Sequence, residues 1–127
     1  MSPHGDSLEA RVRRIEDRIQ ISECVIRYAM ALDQADWDLF RETIADPIYI
    51  DFSDWSGMEP RSWARDEWAG FARDVLSGFD ARQHISPNHV ITFQSEDEAT
   101  CWEATETVMA DWDTRPISSP SSPRIAP

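Results

Sequence analysis

The sequence predicts an α+β domain in which helices come first and an antiparallel sheet is assembled late. Three observations predict it. Apolar residues recur at helical spacing from Leu8 to Ala29. Two long extended runs, Arg82 to Phe93 and Ala99 to Asp113, sit side by side in the chain across the polar turn Gln94 to Glu98. The order helix, helix, strand, helix, strand, strand lacks the βαβ alternation that builds a parallel sheet.

The elements follow from local chemistry. Residues 1–7 form a leader expected to be disordered. Ser7 can cap the first helix, expected over Leu8 to Leu32 with Gln20 as its weakest point. Its seam reads Leu8, Val12, Ile15, Ile19, Ser22, Ile26, Ala29, Asp33, in alternating steps of four and three that keep one face. Asp36 can cap a second helix, Trp37 to Ala45, which Asp46-Pro47 ends.

Ile48 to Phe52 alternates and reads as a strand, and Ser53 to Pro60 as a loop. A third helix is expected over Arg61 to Leu76, with Trp63, Trp68, Phe71, Val75 and Leu76 inward and Gly78 as its stop. In the last long strand Trp102, Ala104, Val108, Ala110 and Trp112 share one parity, with Glu106 as the exception. Thr114 to Pro127 is Pro/Ser-rich and expected to be disordered, which leaves 8–113 as the domain.

A length of 127 residues suits one domain with a real core. The net charge of −12, with arginine as the sole basic residue type besides histidine, speaks against nucleic acid and anionic membranes as partners. Cys24 and Cys101 lie far apart without metal-ligand spacing, as expected for reduced thiols in the cytoplasm. No apolar run is long enough to span a bilayer, and the first residues lack a signal peptide's pattern.

Asp33 is the informative residue. It places a carboxylate on the apolar seam of the first helix, where burial is costly unless the group is paired or used. His84, at the start of a strand, is its candidate partner. Tyr28 lies five residues before Asp33, roughly 140° around the helix axis, so the two can flank one cavity without stacking. His89 has the opposite parity to His84 in a regular strand, and the Pro87-Asn88 interruption is able to return it to the same side. Asp33, Asp36 and Asp38 lack the glycine and terminal glutamate of a calcium loop. No metal or cofactor is expected.

Four stretches carry a resemblance: Ile26 to Asp38 with its Leu-Asp-X-X-Asp-Trp-Asp core, Ile50-Asp-Phe-Ser53, Phe79-Asp-Ala-Arg-Gln-His84, and Asn88-His-Val90. They resemble the SnoaL-like family of the nuclear transport factor 2-like and scytalone dehydratase-like superfamily. The resemblance implies a cone, with N-terminal helices packed on a curved, mostly antiparallel sheet around an apolar pocket. Relative to that pattern the chain is expected to lack the last strands. The resemblance also implies a cofactor-independent lyase or isomerase of dehydratase type, acting on a hydroxylated cyclic or polyketide-like ketone. Asp33, His84 and Tyr28 match its catalytic positions. His89, Tyr49, Trp55, Trp68 and Asn88 are candidate substrate-binding residues. The expected partners are a small hydrophobic or aromatic substrate and a second copy bound through the sheet. Two alternatives stay open: a non-catalytic binding or accessory protein of the same fold, and a degenerate, truncated family member.

Overall fold

A computed structural model describes residues 5–110 and 117–119. The first helix, α1, runs unbroken over Leu8–Gln34. Ser7 caps it by accepting from the Ala10 amide at 3.1 Å. Ala35 ends it in the left-handed region at φ 55°, with its N–H directed at the carbonyls of Ala31 and Leu32. Asp36 turns the chain into α2, Trp37–Glu42, by accepting from the Leu39 amide. This helix stops short of the expected Ala45. The Thr43 hydroxyl bonds the Phe40 carbonyl at 2.7 Å, offering the backbone an alternative to another helical turn.

Strand β1 is Ile48–Ile50, shorter than the sequence suggests. Asp51 accepts from both the amide and the hydroxyl of Ser53, and this side-chain turn ends the strand. One helical turn follows, α3, Ser53–Ser56. The predicted helix over Arg61 to Leu76 begins four residues late. Arg61–Trp63 is a strand, β2, antiparallel to β1 with Ile48 opposite Trp63. Helix α4 occupies Arg65–Leu76, and its first amide, Arg65 N–H, donates to Asp46 Oδ1 at 3.1 Å. That cap comes from 19 residues upstream. Ser77, not a left-handed Gly78, closes the helix.

A second antiparallel sheet is ordered β3-β4-β5, from Ala81–Phe93, Ala99–Ala110 and Ile117–Ser119. The last of these strands falls inside the segment expected to be disordered; the rest of that segment, 114–116 and 120–127, lies outside the described residues. The sheet is not closed. The core sits at the C-terminal end of α1, where Ala31, Leu32, Phe40, Ile44, Trp63, Trp68, Ala69 and Leu76 are buried together. Trp68 is its hub, 5.2 Å from the Trp63 ring, 5.5 Å from Phe71 and 5.9 Å from Phe52. Phe71 and Val75, both expected inward, are exposed.

The α1 seam is buried only in part. Leu8, Val12, Ile15, Ile19 and Ile26 are all exposed, while Ser22, Ala29 and Asp33 are partly covered. An open sheet reaches one edge of a broad apolar stripe and leaves the other uncovered. The parity in β4 is inverted in the same sense: Trp102 is 50% exposed and its neighbour Glu103 only 7%. The apolar parity of β4 therefore forms the outer face, and the polar one faces α1. Among the described residues, no helix is long and apolar enough to cross a membrane.

Candidate active site

Strand β3 is held against α1 by a ladder of polar contacts. Arg82 Nε donates to the Leu32 carbonyl at 2.7 Å. Two residues along the strand, His84 meets Asp33 twice. Its backbone N–H donates to Asp33 Oδ2 at 3.0 Å, and its ring Nδ1 lies 2.6 Å from Asp33 Oδ1. Both side chains are partly buried, 11% and 24% exposed. A two-point clamp of this kind fixes the position of the carboxylate and the rotation of the imidazole. An ionised Asp33 only accepts, a geometry that favours the His84 tautomer with its proton on Nδ1 and its lone pair on Nε2.

Strand β3 then slips register between Ile85 and Asn88. This bulge brings His89 to the same side as His84. His89 Nδ1 lies 2.7 Å from Ser22 Oγ, and its Nε2 lies 3.1 Å from Ser86 Oγ. Ser86 Oγ donates to Glu103 Oε2 at 2.6 Å, and Thr105 Oγ1 donates to Glu103 Oε1 at 3.1 Å. His89 Nε2 and Glu103 Oε2 are 3.8 Å apart. Asn88 is exposed, since the pleat that turns His89 inward turns its neighbour out.

Two apolar cavities flank Tyr28 and Trp68. One, of about 240 Å³, lies between α1, β1 and β4 and includes Tyr49, Asp51 and Glu103 in its wall. The other, of about 350 Å³, lies between α1 and α4. Tyr28 packs on Phe40 with ring centroids 5.3 Å apart. Its hydroxyl has no hydrogen-bond partner among the described residues. Burial, and then the nearby Glu103 carboxylate, push its pKa up to about 12, so it is held as a donor. Burial and the same carboxylate raise the Cys101 thiol. Two hydrogen bonds from Ser53 lower Asp51.

Of the residues expected at the site, Asp33 and His84 meet, Trp68 and Tyr28 line both cavities, and Tyr49 lines one while staying mostly exposed. His89 joins a separate polar cluster, Asn88 faces away, and the Trp55 side chain lies outside the described residues. Neither cavity beside Tyr28 has Asp33 or His84 in its wall. Ser22, Ser86, Glu103 and Thr105 were not anticipated. A signal for Glu103 existed: it is an acid between Cys101 and Thr105 on the strand parity opposite Trp102 and Ala104. Among the described residues no group of three or more His, Cys, Asp or Glu is arranged to hold a metal ion.

The model of the SnoaL-like domain matches residues 13–118. The chain belongs to the SnoaL-like family. Solved structures agree on the fold. The Kfla4162 protein from Kribbella flavida is 30% identical, with a TM-score of 0.72 over 76% of this chain and 65% of that one. This SnoaL-like chain thus spans about two thirds of that protein's length. A putative aromatic ring hydroxylase from Novosphingobium aromaticivorans is 23% identical, with a TM-score of 0.72 over 84% of this chain and 73% of its own. A putative scytalone dehydratase from the same organism is 14% identical, with a TM-score of 0.71 over 85% and 72%. At such identities the last two speak for the fold alone. No curated protein matches the chain.

Proposed function

We propose that this SnoaL-like protein is a cofactor-independent lyase or isomerase that moves a proton in a hydroxylated cyclic or polyketide-like ketone. The observation that carries the reading is the double contact of Asp33 with His84. Asp33 orients the ring and stabilises the imidazolium that forms. His84 Nε2 takes the proton from a carbon beside the substrate carbonyl. The electron pair left behind forms the new C=C bond as hydroxide leaves the next carbon. The proton on His84 Nε2 passes to that hydroxide, so one water is released and the dyad is restored. Tyr28 donates a hydrogen bond to the substrate carbonyl, where negative charge develops. A placed acid–base group of this kind contributes about 10²–10⁴-fold. A dehydratase name on one structural neighbour is consistent with this chemistry on this fold. A screen of hydroxylated ring ketones, read by mass spectrometry as loss of water, tests the reading. His84→Ala, checked for folding by circular dichroism, should abolish turnover; full activity in that variant removes the mechanism.

A second reading has its own support. Asp33 and His84 stand outside both cavities beside Tyr28, which suits a protein that holds a ligand without transforming it. Saturable binding with no turnover across the same screen would favour it.

The same reading includes a second copy bound through the sheet. Ile85, Val90 and Trp102 are exposed on β3 and β4, and Val90 stands directly opposite Trp102. Stacking two such faces would withdraw apolar surface that one chain leaves in water. A cytoplasmic setting fits the two free thiols, Cys24 and Cys101.

A further inference from the structure

The least expected side chain in the structure is Glu103. It is an acidic side chain, 7% exposed, in the wall of a mainly apolar cavity. Burying such a group is costly unless its lone pairs are met. The surrounding bonds run toward it in one direction. Ser86 and Thr105 each donate to one of its oxygens. Because the Ser86 hydrogen is given to Glu103, Ser86 accepts from His89 Nε2–H. In a neutral His89 ring the other nitrogen, Nδ1, accepts from the Ser22 hydroxyl. The sequence Ser22, His89, Ser86, Glu103 is a chain of donors ending on a carboxylate. Each carboxylate oxygen has two lone-pair directions, and each receives one protein donor. Acceptor capacity remains on a carboxylate that lines the cavity.

The rest of the wall is consistent with this. Its charged members are Glu103 and Asp51, and no arginine or histidine lines it. Tyr28 also lines the wall, and among the described residues its hydroxyl has no hydrogen-bond partner. The cavity therefore offers an acceptor at one point, a donor at another, and hydrocarbon and rings between, with no positive charge.

We propose that the cavity between α1, β1 and β4 is a binding site for a ring compound that presents a hydroxyl donor to Glu103 and an acceptor to Tyr28, and that it rejects carboxylates. A ligand carboxylate would meet the buried Glu103 carboxylate, with Asp51 at the exposed side of the wall and no arginine or histidine lining it. The proposal narrows the substrate class of the proposed lyase or isomerase and rests on that reading for its biological meaning. The binding itself does not depend on turnover.

Isothermal titration of the full chain with 2-naphthol and 2-naphthoate tests it, because the two probes share a ring system and differ at the polar end. The wild type should bind 2-naphthol at least about tenfold more tightly than 2-naphthoate. Glu103→Gln, checked for folding by circular dichroism, should bring the two within about threefold by gaining affinity for the naphthoate. Equal binding by the wild type, a preference for the acid, or no binding of either probe would overturn the proposal. So would an unchanged ratio in a folded Glu103→Gln. The wild-type comparison is decisive even where the variant does not fold. Binding of the two probes is read without turnover, so loss of the catalytic reading and loss of this one are separate results.

Discussion

Arg82 and His84 grip consecutive residues at the end of α1. The Arg82 guanidinium holds the Leu32 carbonyl, and His84 holds the Asp33 carboxylate, so two residues of one strand face set the position of one helix terminus. Arg82 also reaches the carbonyls of Leu76 and Phe79 at 3.5 and 3.4 Å, tying the end of α4 to the same point. The last carbonyls of a helix lack internal partners and carry partial negative charge, which a guanidinium satisfies in a fixed geometry.

Arg82→Met keeps the aliphatic stem and removes those bonds. Its cost should be about 1.5–3 kcal/mol, the usual worth of a hydrogen bond to a charged group. Urea unfolding followed by tryptophan fluorescence measures it. The loss should appear as a lower midpoint with an unchanged slope.

Tyr28 gives a pH signature. Its folded pKa, about 12, lies above the ordinary value of 10.0. The unfolded chain therefore gives up this proton first as pH rises, and the stabilisation is present below pH 10 and lost as pH climbs toward 12. In an ultraviolet titration of the native protein, one phenol should ionise only near 12. Tyr28→Phe should remove that step and flatten the alkaline loss of stability. A wild-type protein whose tyrosines all ionise near 10 would contradict the environment described for Tyr28.

Trp102 tests the outer sheet face. It is 50% exposed and stands opposite Val90, which is 57% exposed. Light scattering after size-exclusion should find a dimer of the wild type and a monomer of Trp102→Arg. A monomeric wild type would leave this face without a partner.

Much of the fold was legible because it depends on local chemistry. The 27-residue helix α1, its Ser7 cap and the Asp36 cap of α2 follow from spacing and from side chains within three residues of the amides they meet. What was hidden depends on remote partners. Arg61–Trp63 has a helical pattern of bulky residues, yet it pairs with β1, and the helix after it is capped by Asp46. No local pattern reveals a cap from another element. The meeting of Asp33 with His84 was legible in part: the helix seam marked the acid, His84 stood as its candidate partner, and the family pattern matched both positions. Glu103 was missed for a physical reason: an open sheet exposes the apolar parity of β4, so the rule that apolar faces point inward selects the wrong side.

The account rests on Asp33 fixing one tautomer of His84, and long-range ¹⁵N–¹H correlation of the imidazole rings at neutral pH measures this directly. The wild type should show His84 protonated on Nδ1 with an unprotonated Nε2, and Asp33→Asn should lose that single state. A ring protonated on Nε2, or a spectrum that Asp33→Asn leaves unchanged, would contradict it.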